Sequence, residues 1–583
     1  MKETAKDGST MRLGWSKSKN ATSYYVYKSV YKNKKRTTEV VEKLGTDKQI
    51  CEKYLVSDAK AWAKQYIETL NKKADIDQQA ILLSYIPSKP IPLGVQQSYN
   101  CGYLFLQHLY HRLGLHKICR AIAKKYDFEF DLNSVMSRLL YSRILFPCSK
   151  LATNEVAKSF IEPPTFDLHH IYRSLSYIAK ESDYIQSRLY KNSLEKTVRN
   201  TNVIYYDCTN YFFEIEEADA DGDRQFGISK ENKPNPLVQM GLFMDGDGIP
   251  LSFSITPGNT NEQTTLKPLE QKLLTDFELS QFVVCTDAGL ASHSNRVFNT
   301  KQGRSFITTQ SVKKLKNFLK DWALSPTGWS LPGSLKTFDI SKVDNPSDKD
   351  TIFYKERWIS ENGLEQKLIV TYSSKYKNYQ QNIRNGQVER ATKAIDKNPG
   401  QLTKKRATDY RRFAKMSAYT DEGEIADNTA YDINSERIAE ESRYDGFYAV
   451  CTNIDDDACE IIKINQRRWE IEECFRIMKT DFKSRPIYLQ TSERIQAHFM
   501  TCFLSLILYR YLEKELDDKY TTTELLGALR NMNVLEVKGR GYIPTYTRSK
   551  LTDALHEAFG FRTDYQIIPP SNMRNICSQS KKQ

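Results

Sequence analysis

The strongest constraint on the fold is the order of elements predicted between residues 202 and 300. NVIYYDCTNYFF is a run of β-branched and aromatic residues typical of a buried strand. After a polar loop over 214–234 comes LVQMGLFMDGDGIPLSFSIT, in which two apolar strands flank the turn sequence DGDG, a strong hairpin signal. Asn261 can cap the helix that follows, FVVCTDAGL predicts a short buried strand, and SHSNRVFNT begins another helix. The segment therefore predicts strand, hairpin, helix, strand and helix.

Two aspartates end apolar runs on either side of the predicted hairpin. Asp207 follows VIYY and Asp287 follows FVVCT. A helical crossover returns the chain parallel to an earlier strand, so both carboxylates would emerge at one sheet edge if the two strands are neighbours. Carboxylates that close repel each other unless a cation lies between them, and ligation by oxygen alone suits Mg²⁺ or Mn²⁺. The alternative is that each aspartate only caps a turn at the end of its strand.

A third charged cluster lies in KINQRRWEIEECFRIMKTDFK, where we expect one helix from about Cys459 to Phe482. Arg468, Glu472 and Lys479 fall at i, i+4 and i+11, on one helical face. Apolar residues spread almost all round the helix, which predicts that it is buried. A buried glutamate between two cations indicates a metal ligand beside a phosphate. The alternative is a solvated face with an ordinary ion pair between Arg468 and Glu472.

Together these three motifs resemble the DDE transposases of bacterial insertion sequences. YYDCTN with Asp207, VVCTDAGL with Asp287 and RRWEIEECFRIMK with Glu472 occur in that order, with a large insertion before the glutamate. The resemblance covers about 200–300 and 444–505. Each motif alone is weak, and the three in order are specific.

The third motif is similar to that of the transposase branch written Y-(2)-R-(3)-E-(6)-K. Arg468-(3)-Glu472-(6)-Lys479 matches it at full spacing. Asn465 stands at the tyrosine position, so the base-stacking or flap-handling role of that tyrosine is not carried over to this chain.

The resemblance implies an α/β fold: a ribonuclease-H-like mixed sheet with flanking helices, interrupted by a β-rich insertion, plus N-terminal α+β DNA-binding regions. It implies metal-dependent cleavage of DNA at insertion-sequence ends and strand transfer into target DNA. The catalytic residues and metal ligands would be Asp207, Asp287 and Glu472, holding two Mg²⁺ or Mn²⁺ ions roughly 3.5–4 Å apart. Arg468 and Lys479 would hold phosphates of the DNA. The expected partners are double-stranded DNA, at terminal inverted repeats and target sites, and a second copy of the chain in a homodimer on DNA.

Two other functions stay open at this point. One is a catalytically inactive, transposase-derived DNA-binding protein, against which the presence of all three acids argues. The other is a metal-dependent nuclease without strand transfer, which only its reaction products would distinguish.

The positive charge is concentrated in two stretches. Residues 1–43 carry eleven Lys and Arg against four acids, and residues 384–415 carry ten against three, so each has a net charge of +7 in a chain of net charge +13. Such concentration favours phosphate-backbone binding, with solubility as the alternative. We expect residues 1–43 to contact the terminal DNA of the element. In the second stretch we expect DNA contacts from five residues: Lys404, Lys405, Arg406, Arg411 and Arg412.

Shifts in composition divide the chain into six predicted regions. They are a basic β-hairpin and helix for DNA binding at 1–96, a helical DNA-binding or linker domain at 97–200, the first part of the catalytic core at 201–300, an inserted β-rich basic subdomain at 301–443, the second part of the core with the Glu helix at 444–513, and a C-terminal region at 514–583. The hairpin is expected over 22–46, with its turn at Asn33-Lys34-Lys35. Two short helices break at Pro147, as a helix-turn-helix or as part of a plain helical bundle.

Several classes of protein are excluded by composition. The eleven cysteines include no C-x-x-C pair, which argues against a disulfide framework or a zinc ribbon. The N-terminal residues are charged where a signal peptide needs an apolar stretch. The longest apolar run, Phe499 to Tyr509, is about half of a membrane span. We therefore expect a cytoplasmic protein with no membrane partner, and the resemblance to bacterial transposases implies the bacterial cytosol or nucleoid.

Overall fold

The computed structural model describes residues 11–18, 21–32, 35–78, 81, 83, 86–342, 351–397, 409–419 and 428–582. By its internal contacts the chain divides into two compact units, Met1–Val95 and Gln96–Gln583. The six finer regions proposed from the sequence stay predictions.

The first unit is a small α+β structure. Its elements are β1 (Arg12–Lys17), β2 (Thr22–Lys32), β3 (Lys35–Thr46), α1 (Asp47–Tyr54) and α2 (Ala59–Gln78). The three strands form an antiparallel sheet in the order β1-β2-β3. The hairpin predicted over 22–46 is therefore confirmed, although residues 33 and 34 of its turn lie outside the described residues. Helix α1 begins where Thr46 accepts from the backbone N–H of Gln49, whose side chain in turn accepts from the backbone of Thr46.

The second unit combines a large sheet with many helices. Its strands are β4 (Ser98–Asn100), β5 (Val203–Phe212), β6 (Leu237–Asp245), β7 (Pro250–Pro257), β8 (Val283–Thr286), β9 (Ser305–Gln310), β10 (Phe353–Glu361), β11 (Leu364–Tyr372), β12 (Ala414–Tyr419), β13 (Asn428–Ile433), β14 (Phe447–Thr452), β15 (Asn533–Val537) and β16 (Gly541–Pro544). Its helices are α3 (Tyr103–Arg112), α4 (Leu115–Tyr126), α5 (Leu132–Leu145), α6 (Lys150–Lys158), α7 (Leu168–Lys180), α8 (Ser182–Leu194), α9 (Glu262–Thr275), α10 (His293–Phe298), α11 (Asn317–Leu324), α12 (Ser374–Lys397), α13 (Ser435–Ser442), α14 (Ala458–Gln466), α15 (Trp469–Arg476), α16 (Ser492–Glu515), α17 (Thr522–Asn531), α18 (Lys550–Phe559) and α19 (Pro570–Gln579).

The main sheet has eight strands in the order β10-β11-β14-β9-β8-β5-β6-β7. Strand β5 pairs antiparallel with β6 and parallel with β8, and β9 is parallel to β8. Counted along the chain, the strands from β5 to β9 lie in the order third, second, first, fourth, fifth, with α9 crossing between the third and the fourth. This confirms the predicted α/β class, a ribonuclease-H-like mixed sheet with flanking helices.

Only part of the region between β9 and β14 is separate from the main sheet. Strands β10 and β11 pair with each other and extend the main sheet through β14. Among the described residues of this region, only β12 and β13 form a sheet of their own, and the long helix α12 lies between them and β11 in the chain. The insertion is therefore partly an enlargement of the sheet that carries Asp207 and Asp287.

Helices on one side of the sheet surround α16, which is buried from Ala497 to Glu513. It packs against α3, α5, α7 and strand β7. Helix α5 is buried at every position except Asn133, so it has no free face for a DNA groove. The second of the two helices around Pro147, α6, has exposed positions, so the helix-turn-helix and the plain bundle both stay predictions. Within the described residues, every helix is too short or too polar to cross a membrane.

Candidate active site

Asp207 lies inside strand β5. Pairing with β6 continues beyond it to Phe212, with Asp207 opposite Leu242. On the other side, pairing with β8 stops at Tyr206, because β8 ends at Thr286. The prediction that Asp207 ends its strand is therefore wrong for the pairing with β6, which continues past it. On the β8 side, however, the pairing ends just before Asp207.

Asp287 follows the last residue of β8. Because Tyr206 is opposite Thr286 in the parallel pair, Asp207 and Asp287 occupy the next register position on neighbouring strands, which lie about 4.8 Å apart in sheets. The Asp287 carboxylate accepts a hydrogen bond from the backbone N–H of Leu290 at 3.0 Å, which fixes the turn after the strand. The expectation that the two aspartates meet at one place in the sheet is confirmed.

The environment of Asp207 favours a cation. Burial, helped by the negative charge of Asp287, raises the pKa of Asp207 to about 6. The ammonium of Lys230, the N–H of Cys208 that donates to the carboxylate at 2.8 Å, and Arg468 act in the opposite direction. A buried carboxylate beside another carboxylate is stabilised in its charged form by positive charge and by donated hydrogen bonds.

Arg468 lies within electrostatic reach of all three predicted acids. Its side chain is 20% exposed. Burial alone would lower the pKa of its guanidinium, but the Tyr448 hydroxyl and the carboxylates of Asp207, Glu472 and Asp287 together raise it. One guanidinium therefore interacts with all three carboxylates and offsets part of their negative charge.

Glu472 is much more exposed than the two aspartates. Its carboxylate oxygen is 3.2 Å from the Arg468 guanidinium, and its side chain is 57% exposed. The prediction of a buried glutamate is wrong, because the helix presents a solvent face on which Trp469 is also exposed. Among the residues that the structure describes, Asp207, Asp287 and Glu472 do not form a group whose carboxylate oxygens all lie within 4.8 Å of one another.

Two of the three predicted metal ligands lie where they could bind the same metal ion. Asp207 and Asp287 offer carboxylate oxygens on neighbouring strands, and hard oxygen ligands suit Mg²⁺ or Mn²⁺. Glu472 would complete the set only after its carboxylate leaves Arg468.

The single helix predicted over 459–482 is wrong in detail. Helices α14 and α15 are separated by two residues, and α15 passes into a π-helical turn over Ile477–Asp481. Such turns occur frequently at functional sites. Lys479 lies in this turn, and its ammonium donates to the Thr209 hydroxyl at 2.6 Å, two residues beyond Asp207 in β5.

Lys479 is a largely buried cation beside strand β5. Burial and the neighbouring Lys230 lower the pKa of Lys479 to about 8, while Asp207 acts to raise it. The ammonium lies 3.2 Å from a carboxylate oxygen of Glu231 and 5.1 Å from the ring centre of Tyr211. The lowered pKa means that the position disfavours the charged ammonium, which a nearby anion would stabilise.

A cavity of about 560 Å³ opens beside Glu472. Arg468 and Glu472 line part of it, and aromatic rings of Tyr376, Tyr448 and Trp469 line much of the rest. The cavity is therefore charged next to the acids and apolar farther away.

Asn465, at the tyrosine position of the motif, is buried in the wall of this cavity. Its amide donates to the Tyr448 hydroxyl at 3.1 Å, and that hydroxyl shares a hydrogen bond with the Thr309 hydroxyl at 2.6 Å. A phenol from β14 thus stands near Arg468, where the family pattern has one on the helix. Motif spacing could not identify Tyr448, because it belongs to a different element.

Three of the five predicted DNA contacts in the second basic stretch lie outside the described residues: Lys404, Lys405 and Arg406. Arg411 lies 3.4 Å from Asp409, and Arg412 lies 2.9 Å from Glu441. Both arginines thus form ion pairs with carboxylates of the insertion, which favours a role in its structure over one in DNA binding.

Sequence reasoning missed three charged residues that lie close to the site: Lys230, Glu231 and Arg485. The first two belong to the polar loop between β5 and β6, which reads as a solvated connection. A connection of that length without regular structure is uncommon in a compact domain and is often functional. Its length was the only sequence signal that the loop could contribute to the site.

Comparisons with known proteins bear on the same region. A sequence model of the family described as Transposase DDE domain matches residues 212–508, which include Asp287, Glu472 and Lys479 and begin just after Asp207. A comparison with curated proteins found no match. Among solved structures, the chain is similar to a piggyBac transposase, determined by cryo-EM as a synaptic complex with hairpin DNA. That similarity has 9% identity and a TM-score of 0.32, over 88% of this chain and 81% of the other. With so low a TM-score, it carries no structural argument.

Proposed function

Because this chain belongs to the transposase DDE domain family, we propose that it catalyses metal-dependent cleavage of DNA at insertion-sequence ends and transfer of the freed strands into target DNA. The observation that carries this proposal is that Asp207 and Asp287 directly follow Tyr206 and Thr286, the last pair between two neighbouring parallel strands. Arg468, whose guanidinium is influenced by both and by Glu472, supports it.

In this proposal Asp207, Asp287 and Glu472 hold Mg²⁺ or Mn²⁺. The bound metal would polarise the scissile phosphate and lower the pKa of the attacking water or 3′-hydroxyl. Glu472 must first leave Arg468, and an ion pair this exposed contributes only about 0.2–1 kcal/mol, so the exchange costs little.

Two positively charged side chains would bind the DNA substrate. When Glu472 joins the aspartates, the guanidinium of Arg468 is released to hold phosphate oxygens through its planar fork. Lys479, fixed by the Thr209 hydroxyl next to Asp207 along β5, supplies a point charge to the same strand of DNA. An element has two ends, so we expect two copies of the chain to act together on double-stranded DNA.

A strand-transfer assay tests the proposal. The donor is a plasmid that carries the gene with its flanking genomic DNA, and the target is a second plasmid. With Mg²⁺ we expect donor 3′ ends joined to target DNA, and with EDTA no product. Cleavage without joining would indicate a nuclease, and binding without cleavage would indicate a DNA-binding descendant of a transposase; both results contradict the proposal.

A further inference from the structure

The loop between β5 and β6 is anchored to β5 close to the candidate active site. The Asn210 amide donates to the carbonyl of Ile228 at 2.9 Å, and its oxygen accepts from the N–H of Lys230 at 3.2 Å. The Ser229 hydroxyl accepts from the N–H of Glu231 at 3.3 Å. The same hydroxyl accepts from the N–H of Lys233 at 3.0 Å, so hydrogen bonds hold the backbone on both sides of Glu231.

The Glu231 carboxylate bridges two cations. One oxygen lies 3.2 Å from the Lys479 ammonium, and the other contacts the guanidinium of Arg485. The side chains of Glu231, Lys479 and Arg485 are 21%, 13% and 27% exposed. The pair of cations is thus recessed, but an incoming group can reach it from solvent.

Lys479 and Arg485 depend on this one carboxylate. In the part of the chain that the structure describes, Glu231 provides the only carboxylate within 4.0 Å of either cation. Burial lowers the pKa of both cations, so their surroundings disfavour positive charge, and an anion beside them offsets part of that cost. The site is built for an oxyanion, and a loop side chain supplies one.

We propose that Lys479 and Arg485 form a single binding site for a phosphate of the DNA backbone, and that Glu231 occupies this site until DNA binds. The inference rests on the proposed function. A carboxylate and a phosphodiester present similar pairs of oxygens, and an arginine fork binds either one. Thr209, which contacts Lys479, is two residues from Asp207 on β5, so the phosphate lies near the reacting centre.

Whether Glu231 competes with DNA for the two cations determines whether its removal strengthens or weakens DNA binding. If Glu231 is an occupant, its removal frees the two cations and DNA binds more tightly. If Glu231 is a structural support for Lys479 and Arg485, its removal leaves two recessed cations unpaired, and DNA binding stays equal or weakens.

The test compares two full-length variants that lose one negative charge in the same loop. Glu231→Gln removes the bridging carboxylate, and Glu217→Gln removes an exposed carboxylate. The probe is a 30-base-pair duplex of arbitrary sequence, without metal. We expect Glu231→Gln to bind about tenfold more tightly than the wild type, and Glu217→Gln no more than about twofold. Adding Lys479→Met and Arg485→Met to Glu231→Gln should abolish the gain. Equal affinities of the two single variants, or weaker binding by Glu231→Gln, overturn the proposal.

Inorganic phosphate provides a second measurement. Phosphate should raise the melting temperature of Glu231→Gln and leave that of the wild type almost unchanged, because only the variant has the site free. A Glu231→Gln chain that phosphate does not stabilise, or that fails to fold even with phosphate or duplex present, overturns the proposal as well. Both readouts need no cleavage, so their failure is distinguishable from failure of the strand-transfer assay.

Discussion

Tyr448 brings a hydroxyl to the candidate active site from a strand. Replacement by phenylalanine keeps the ring in the cavity wall but removes the hydrogen bonds with Asn465 and Thr309, each worth about 1 kcal/mol. Arg468 should then be held less firmly, and we expect Tyr448→Phe to lower the single-turnover cleavage rate about fivefold while the affinity for DNA is kept. Tyr488→Phe, which removes an exposed hydroxyl, is the control. Equal rates for the two variants would contradict this positioning role.

Lys150 makes stability depend on pH. Burial, assisted by the positive charge of Arg143, lowers the pKa of Lys150 from 10.5 to about 7. Between these values the unfolded chain holds a proton that the folded chain has lost, so this residue makes stability rise with pH from about 7 to 10.5, and below pH 7, where both states are protonated, its contribution no longer changes. The slope approaches about 1.4 kcal/mol per pH unit.

Lys150→Met should remove this part of the slope when the free energy of unfolding is measured by chemical denaturation at pH 7.5 and 8.5. Lys158→Met changes an exposed lysine of the same helix and should keep the wild-type slope. If both variants keep it, Lys150 does not titrate as described.

At this scale the sequence pointed to the three acids, Arg468 and Lys479 as candidates, but it missed the charged residues of the loop before β6 and did not predict how deeply each side chain lies. Asp207 and Asp287 could be placed because apolar runs precede both. The exposure of Glu472 could not be predicted, because the periodicity treats the segment as one unbroken helix. The break before Trp469 and the π-helical turn around Lys479 depend on packing against distant elements.

Among the elements, the hairpin of β6 and β7 was predictable because local chemistry determines its turn. One oxygen of Asp245 accepts from the backbone N–H groups of Asp247 and Ile249, at 3.0 and 2.9 Å. Gly248 has a φ of +81°, a conformation that glycine adopts without strain. These are interactions within a few residues, and DGDG between apolar runs encodes them.

The same turn depends on one residue outside the hairpin. The guanidinium of Arg199 lies 2.6 Å from the other oxygen of Asp245, and both side chains are almost fully buried. Arg199→Met leaves a buried carboxylate unpaired, so we expect a loss of about 3–5 kcal/mol in the free energy of unfolding. Arg188→Met, at an exposed position of α8, should cost much less. Similar losses in denaturant titrations of the two variants would argue against the buried pair.

The extension of the main sheet by β10 and β11 was not predictable in the same way. Their sequences indicate strands, but pairing with β14 joins Lys367 to Thr452 across the long helix α12 and residues beyond it. Contacts of such sequence separation leave no local pattern. The role of the loop that carries Glu231 could not be predicted for a related reason, because it depends on contacts with the distant residues Lys479 and Arg485.

For the whole molecule, the distribution of charge predicts how DNA binding responds to salt. Arg411 and Arg412 are engaged with Asp409 and Glu441, so we assign the phosphate contacts of the second basic stretch to three other residues. The variant replaces these by glutamine: Lys404, Lys405 and Arg406. The slope of log K against log salt should flatten by about 0.9 per lost contact, roughly 2.7 in all.

Duplex binding titrated between 50 and 200 mM salt measures this slope. The control variant carries glutamine at Lys519, Lys538 and Lys550, exposed lysines of the C-terminal region. Should both triple variants show the wild-type slope, the basic stretch would serve solubility alone.

The most direct measurement of the central claim is the single-turnover cleavage rate of four variants in Mg²⁺. Asp207→Asn, Asp287→Asn and Glu472→Gln should each lose nearly all cleavage while keeping the wild-type affinity for DNA, because they remove metal ligands and no phosphate contacts. Glu473→Gln, which changes the neighbouring carboxylate paired with Arg476, should cleave at close to the wild-type rate. A variant of Asp207, Asp287 or Glu472 that retains more than about a tenth of the wild-type rate, roughly 1.4 kcal/mol of barrier, would contradict the assignment of that residue.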